Sequence, residues 1–166
     1  MLAYLGLGSN LGDREAEIAR AIHALAKLGR VAARSACYET LPEGGASQPK
    51  YLNAAVRLET DLPAQALLEA CLEIERVQGR VRPAGTAKAP RTIDIDLLLY
   101  GSATLVEPGL CVPHPSLLLR PFVRIPLAEV ALPGLCHPKS GERLDRCVPD
   151  RSVSSWLPPQ RAAPRR

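Results

Sequence analysis

The chain has 166 residues, of which 46% are hydrophobic and 23% are charged, proportions typical of one soluble globular domain. No apolar run reaches the ~20 residues of a membrane span, and no basic secretory segment opens the chain, so a cytoplasmic protein without a membrane partner is expected. The net charge is +4, but residues 150–166 contribute +3 of it, which argues against a nucleic-acid-binding face on the body of the protein. Five cysteines without a C-x-x-C pair predict reduced thiols, since neither a zinc site nor a disulfide framework is indicated.

The predicted elements follow the order β-α-β-β-α-β. Periodicity and turn residues place strands at residues 2–7, 31–39, 51–59 and 91–100 and helices at 14–28 and 63–79. This order matches an α+β, ferredoxin-like βαββαβ sandwich, with two helices on one face of an antiparallel sheet. An additional C-terminal hairpin near residues 104–112 and short helical segments up to residue 130 are expected to follow.

The chain is expected to form one domain over residues 1–148. Residues 149–166 are rich in proline and arginine and contain little apolar surface to bury. They are therefore predicted to form a flexible tail, and removal of residues 150–166 is expected to leave activity close to normal.

Asp94 and Asp96 lie one residue apart in the last predicted strand. Because side chains alternate along a strand, the two carboxylates share a face and lie about 6.6 Å apart. At an effective dielectric of about 20, two like charges at that distance repel by roughly 2.5 kcal/mol. Mg²⁺ would offset this repulsion, and the neighbouring Arg91 favours a polyphosphate ligand. The structural alternative is a solvated face of an antiparallel sheet.

Other segments are candidates for ligand binding. The basic loop at residues 80–88 precedes the two aspartates and is either a phosphate-covering lid or a solvated loop. His114 lies between two prolines, which fix its backbone. Tyr51 and Asn53 share one face of the third strand, where a ring and an amide suit a flat heterocycle, although both residues are also common near the start of ordinary strands.

Six segments occur together in the order and spacing of a known family. They are residues 5–12, 48–56, 79–82, 90–97, 112–115 and 120–122. The most specific of them is the P-R-T-x-D-x-D pattern at residues 90–96. In these segments residues 2–145 resemble the 6-hydroxymethyl-7,8-dihydropterin pyrophosphokinases of folate biosynthesis. Residues 87–89 depart from the family pattern, which often has a basic residue and a tryptophan there, and the chain beyond residue 148 matches nothing in it.

The resemblance implies an enzyme that transfers the terminal pyrophosphoryl group of ATP to the pterin hydroxymethyl group and releases AMP. Asp94 and Asp96 would hold two Mg²⁺ ions and, with Arg80 and Arg91, would form the catalytic set. The implied ATP-binding residues are Glu75, Arg80, Arg82, Arg91, His114 and Arg120. The implied pterin-binding residues are Thr40, Gly44, Tyr51, Asn53 and Phe122. A monomer that binds ATP and a small-molecule pterin, and no nucleic acid, is expected.

Two other functions stay open on the residues alone. One is a non-catalytic module that binds nucleotides or nucleic acid, which the basic loop and tail favour. The aspartate pair opposes it, because carboxylates repel phosphate backbones in the absence of a metal. The other is a different Mg²⁺-dependent phosphotransferase or nuclease that uses the same two carboxylates.

Overall fold

The computed structural model of the protein describes residues 1–42, 48–80, 89–147 and 150–156. The elements in chain order are β1 (Leu2–Ser9), α1 (Arg14–Leu25), β2 (Arg30–Arg34), β3 (Tyr38–Thr40), β4 (Tyr51–Glu59), α2 (Ala64–Val77), β5 (Asp94–Tyr100), β6 (Leu105–Glu107), β7 (Leu110–Val112), α3 (Pro121–Val130) and β8 (Val153–Ser155). Every pair of neighbouring strands is antiparallel. The α+β class with an antiparallel sheet is therefore confirmed.

The centre of the fold is the antiparallel pair β1 and β4. The six-stranded sheet has the order β5-β1-β4-β3-β8, and β2 pairs with β4 beside β3. The β1–β4 register runs from Leu2 opposite Glu59 to Ser9 opposite Leu52. Both strands consist mainly of small and aliphatic residues that are buried, which is the pattern of strands covered on both faces. The hairpin of β6 and β7 forms a separate two-stranded sheet.

Apolar clusters cover the two faces of the sheet. On one face, α1 and α2 contribute Ile18 and Leu67 to a cluster that includes Leu5 of β1. On the other face, Leu127 of α3 belongs to a second cluster with Tyr4 of β1. The central strands β1, β4 and β5 contribute to both clusters, so their positions are fixed by packing from two sides.

The first helix begins where the sequence predicts and ends earlier. The side chain of Asp13 caps its N-terminus by accepting a hydrogen bond from the Ala16 amide at 3.1 Å, as expected for an N-cap aspartate. The helix ends at Leu25 rather than residue 28, because the next residues form turn hydrogen bonds, among them that from the Leu28 amide to the Leu25 carbonyl at 2.9 Å.

The strand predicted at residues 31–39 is divided into β2 and β3. Between them, the Ser35 amide donates to the Ala55 carbonyl at 2.9 Å, while the Ser35 Oγ accepts from the Ala55 amide at 2.9 Å. A side-chain oxygen thus takes the place of a backbone carbonyl. The next amide, that of Ala36, donates to Glu129 of α3 at 2.8 Å. Strand pairing is therefore interrupted over residues 35–37.

The expectation of a flexible tail requires correction for the segment that the structure describes. Residues Val153–Ser155 form β8, which pairs with β3 so that Thr40 lies opposite Val153. Trp156 packs against the cluster on the α1 and α2 face. The rest of that expectation, on residues 157–166, lies outside the described residues.

Within the described ranges, no helix is long and apolar enough to cross a membrane. Among the described residues no disulfide joins two cysteines, and their burial varies from buried at Cys71 to exposed at Cys136.

Candidate active site

Two glycines of β1 separate polar side chains on the neighbouring strands. Gly8 lies between Asp94 of β5 and Asn53 of β4, and Gly6 pairs with Asp96. Directly paired residues project from the same face of a sheet, and here it is the face that carries α3. A Cβ atom at Gly8 would lie 3.4 Å from Asn53 Oδ1 and 4.0 Å from the Asp94 Cβ. The absence of a side chain there keeps space open between the carboxylate and the amide.

A third carboxylate reaches this region from α2. Glu75 is 2% exposed. Its Oε1 accepts a hydrogen bond from the Ile95 amide at 2.8 Å and lies 2.5 Å from Arg80 Nη1. Both contacts are needed, because a buried carboxylate without partners would strongly destabilise the fold. Since Ile95 lies between the two aspartates in the sequence, Glu75 ties α2 to the aspartate-bearing strand.

Arginines bind both carboxylate oxygens of Asp94. Arg80 Nη1 donates to Oδ1, and Arg91 Nη1 donates to Oδ2 at 2.5 Å. The exposed fractions of these side chains are only 22% for Asp94, 12% for Arg80 and 17% for Arg91. Ion pairs shielded to this degree interact more strongly than surface pairs. Two cationic groups are thereby held beside the aspartate pair.

The second aspartate is held in an environment that disfavours its charge. The pKa of Asp96 is raised to about 6, first by burial and then by the negative charges of Asp94 and Glu75, which outweigh the opposing charges of Arg120 and Arg80. The cluster therefore contains more negative charge than its arginines compensate at Asp96. A cation bound there would relieve this imbalance.

His114 is placed as a neutral hydrogen-bonding group. Burial lowers its pKa, as does the charge of Arg120, while Asp94 partly opposes them, so the imidazole is uncharged near pH 7. The His114 amide donates to the Leu98 carbonyl at 2.9 Å, and Nδ1 accepts from the Ser116 amide at 3.2 Å. The proton of the neutral ring is then on Nε2, which can donate to a ligand oxygen.

The other side of Gly8 carries the Asn53 amide and the Tyr51 ring. Asn53 is 6% exposed, and its Nδ2 donates to Thr40 Oγ1 at 2.9 Å, which fixes the orientation of the amide. The Arg91 guanidinium carbon lies 6.0 Å from the Tyr51 ring centroid. The Arg120 guanidinium carbon lies 5.7 Å from the ring centroid of Phe122. Each ring therefore has a cation beside it.

These groups line one cleft of about 830 Å³. The structure brings together there every described residue to which the sequence analysis assigns a role: Thr40, Tyr51, Asn53, Glu75, Arg80, Arg91, Asp94, Asp96, His114, Arg120 and Phe122. The other two, Gly44 and Arg82, lie outside the described residues. A cleft of this volume is within the range of small-molecule binding sites.

Asn10 supports the cleft, although the sequence analysis assigns it no role. It is 1% exposed. Its Oδ1 accepts from the Arg91 amide at 2.8 Å, and its Nδ2 donates to Gln48 Oε1 and to the Pro49 carbonyl, each at 3.3 Å. A polar residue directly after an apolar strand was the available signal, because a buried amide needs partners.

The carboxylates of Asp94 and Asp96 suit a hard divalent cation that keeps water or phosphate oxygens as its other ligands. In the parts of the chain that the structure describes, no group of three or more His, Cys, Asp or Glu side chains is placed to enclose a metal. Asp94 and Asp96 supply carboxylate oxygens on one face, and burial and like charge disfavour ionised Asp96 without a cation. Mg²⁺ suits such a site, because it binds through one or two carboxylates and fills its other positions with water and phosphate oxygens.

Comparison with known proteins gives one family. Residues 4–132 match the family model of 7,8-dihydro-6-hydroxymethylpterin-pyrophosphokinase, HPPK. Three curated relatives are named 2-amino-4-hydroxy-6-hydroxymethyldihydropteridine pyrophosphokinase. The protein of Methylorubrum extorquens is 49% identical over 131 residues, which cover 78% of this chain and 82% of the relative. The protein of Porphyromonas gingivalis is 42% identical over 142 residues, which cover 84% of this chain and 95% of the relative. The protein of Bacillus subtilis is 40% identical over 134 residues, which cover 78% of this chain and 77% of the relative.

Solved structures of similar fold include the wild-type HPPK-DHPS of Plasmodium falciparum with SDX-DHP. The TM-score is 0.67 at 14% identity, and the match covers 87% of this chain. This chain spans 43% of that longer protein, so the likeness concerns the fold of one part of it.

Proposed function

Because the chain belongs to the 7,8-dihydro-6-hydroxymethylpterin-pyrophosphokinase family, we propose that it makes the pyrophosphorylated pterin of folate biosynthesis from 6-hydroxymethyl-7,8-dihydropterin. ATP would be the donor. The pterin hydroxymethyl oxygen would bond to the β-phosphorus, the bond from that phosphorus to the α-phosphate oxygen would break, and AMP would leave. The observation that carries the proposal is the cleft in which carboxylates, arginines and aromatic rings meet across Gly8.

The acidic and basic side of the cleft is proposed to bind the nucleotide. Asp94 and Asp96 would hold two Mg²⁺ ions, which would neutralise the charge of the triphosphate. Arg80 and Arg91 would contact the transferred phosphates, which suits their position at the carboxylate pair. The remaining proposed nucleotide-binding residues are Glu75, Arg82, His114 and Arg120. Positioning and electrostatic stabilisation account for most catalysis in phosphoryl transfer.

The aromatic side is proposed to bind the pterin. Tyr51 and Phe122 would stack on the two faces of the bicyclic ring, with offset ring contacts of the kind that aromatic groups prefer. Asn53, held by Thr40, would pair with the hydrogen-bonding edge of the ring. Backbone groups at residues 40–44, including Gly44, are proposed to complete this edge recognition.

The architecture is proposed to be ferredoxin-like. The strand order β5-β1-β4 followed by β2 and β3 supports this if β2 and β3 are taken as one interrupted strand. The two helices that connect these strands pack on one face, as the plan requires.

Analysis of nucleotide products would test the proposed reaction. The protein is incubated with ATP and Mg²⁺, with and without 6-hydroxymethyl-7,8-dihydropterin, and AMP and ADP are separated. We expect AMP in amounts equal to the pterin consumed, and none without pterin. ADP as the product would indicate single-phosphoryl transfer, and no pterin-dependent AMP from folded protein would refute the proposal.

Substitution of Asp96 tests whether the reaction depends on the aspartate pair. Asp96→Ala is expected to remain folded, as judged by circular dichroism, and to lose turnover. Unchanged turnover would contradict the assignment of Asp96 to the metal.

A further inference from the structure

The last described residues extend the sheet on the side next to the aromatic half of the cleft. β8 pairs with β3 through Thr40 opposite Val153 and Glu39 opposite Ser154. The Ser154 hydroxyl donates to the Glu39 carbonyl at 3.3 Å. Beyond the strand, the Trp156 amide donates to the Cys37 carbonyl at 2.9 Å. The segment therefore holds β3 along its whole length by backbone hydrogen bonds, while β4 holds its other edge.

Trp156 also contacts an arginine that bridges β3 and β4. The Arg14 guanidinium carbon lies 4.9 Å from the Trp156 ring centroid, within the range of a cation–π contact. Arg14 Nη2 donates to Glu39 Oε1 at 3.0 Å, and Nη1 donates to the Lys50 carbonyl at 2.8 Å. Glu39 Oε2 accepts from Lys50 Nζ at 2.9 Å. Arg14 thus links the end of β3 to the residue that precedes β4.

The ion pairs of Glu39 with Arg14 and Lys50 stabilise the ionised form of its carboxylate. The hydrogen bond from Lys50 and that from Arg14 lower the pKa of Glu39 despite the opposing effect of its partial burial, so the carboxylate stays ionised at neutral pH. The side chains of Arg14 and Glu39 are 20% and 18% exposed. The Trp156 ring covers part of the guanidinium, and a planar guanidinium can stack and hydrogen-bond at the same time.

The two chain segments joined by this bridge carry residues of the cleft. Thr40, Leu41 and Pro42 follow directly from Glu39, and Tyr51 follows directly from Lys50; all four line the cleft. Thr40 also orients the Asn53 amide. A change in the separation of the two segments would therefore move a ring, an amide and their supporting hydroxyl together.

We propose that β8 and Trp156 are positioning elements for the pterin, which act through Arg14 on the segments at Thr40 and Tyr51. This inference rests on the proposed function. The effect should be larger on the pterin than on ATP, because β8 is four strands away from β5 in the sheet. At a spacing of about 4.8 Å per strand, that is a distance of about 19 Å from the aspartate pair. Among the displaced groups in the described part of the chain, only Tyr51 contacts a proposed nucleotide-binding residue, Arg91.

Two truncations and two substitutions test the inference. One chain ends at residue 149 and lacks β8, and its matched control ends at residue 156 and keeps β8 and Trp156. Trp156→Ala removes the ring, and Trp156→Phe keeps an aromatic face. For each, KM for the pterin, KM for ATP and kcat are measured, and pterin binding is titrated separately by its fluorescence.

We expect the chain ending at 149 and Trp156→Ala to raise the KM and dissociation constant for the pterin roughly tenfold, because small displacements of positioning groups have effects of this size. KM for ATP should change by less than about twofold, since the lost interaction is specific to one substrate. The chain ending at 156 should resemble the full chain, and Trp156→Phe should recover most of the pterin affinity.

The failures of the two proposals are distinguishable. If the full chain neither binds the pterin nor forms AMP, the proposed function fails and this inference fails with it. If the full chain is active but the truncations and Trp156→Ala leave pterin binding unchanged, or weaken ATP and pterin equally, only the inference fails. If the chain ending at 149 does not fold, Trp156→Ala with Trp156→Phe decides the outcome.

Discussion

At the scale of single residues, the ionised form of Asp96 is expected to destabilise the folded protein. Its pKa is raised from 3.8 to about 6, a difference equivalent to about 3 kcal/mol. The folded state binds the proton more tightly, so ionisation destabilises it. This cost is complete above pH 6 and disappears as the pH falls from about 6 towards 3.8. We expect Asp96→Asn to stabilise the metal-free protein by about 2–3 kcal/mol at pH 7.5 in urea denaturation, and to abolish turnover.

The pH dependence provides the check on this prediction. The stability advantage of Asp96→Asn should shrink between pH 6 and pH 4, as the wild-type carboxyl takes up its proton. Asp145→Asn is the control, because hydrogen bonds from Arg143 and from the Gly134 amide lower the pKa of that carboxylate, so this substitution should not stabilise the protein. An advantage of Asp96→Asn that is independent of pH would show that charge is not its cause.

Asn10 is a second residue whose role can be measured directly. Asn10→Ala leaves the Arg91 amide without its acceptor and removes two donated hydrogen bonds. We expect a loss of about 2–3 kcal/mol in urea denaturation, since buried groups are left unsatisfied. Asn10→Asp keeps the acceptor and should lose less. Equal losses for the two variants would mean that the bond to Arg91 contributes little.

The sequence predicted the members of the candidate site better than their contacts. The alternation around Asp94 placed both aspartates on one face, and the structure has them there. The ion pairs of Arg80 with Asp94 and Glu75 could not be predicted, because they depend on how α2 packs against β5. Asn10 was missed for the same reason, since its partners are 38 to 81 positions away.

At the scale of elements, the connection from α1 to β2 depends on close backbone contact. A Cβ atom at Gly29 would lie 2.1 Å from the Glu59 carbonyl oxygen and 3.1 Å from the Thr60 Cα. Because these are backbone atoms, a side chain could be fitted only by separating the connection from β4. We expect Gly29→Ala to destabilise the protein by about 3 kcal/mol or more in urea denaturation.

A substitution at a second glycine, Gly109, serves as the control that distinguishes steric clash from backbone strain. Gly109 has a φ of 77°, but a Cβ atom there would meet nothing within 4 Å. Gly109→Ala should therefore cost only about 1–2 kcal/mol. If both variants lose the same amount, contact with Glu59 is not the cause of the larger effect.

The elements with a clear pattern were predicted, and those defined by backbone contacts were not. β4 has the predicted bounds, residues 51–59, because Gly- and Pro-rich segments and apolar residues mark it. The break between β2 and β3 depends on the Ser35 hydroxyl and on Ala55, which is 20 residues later. β8 contains two serines among its three residues, and an edge strand needs only a neighbour with free backbone groups.

At the scale of the whole molecule, the sheet lies between two apolar clusters, and we expect all three to unfold together. Leu127 in α3 and Leu67 in α2 are each fully buried, on opposite faces. We expect Leu127→Ala and Leu67→Ala each to lose about 2–5 kcal/mol. Fluorescence and circular dichroism should follow a single urea transition in both variants. Two separate transitions in Leu127→Ala would show that α3 unfolds independently.

The two arginines on Asp94 also bear on how ligands would enter the cleft. A phosphate that draws Arg80 or Arg91 to itself would release a carboxylate oxygen of Asp94, and that oxygen could then bind a cation. Binding of the phosphate would therefore raise the affinity for the cation, and binding of the cation would raise the affinity for the phosphate by the same factor. The coupling free energy between two such sites is typically about 1–3 kcal/mol. The protein would then respond to the concentration of the metal–nucleotide complex and only weakly to either component alone.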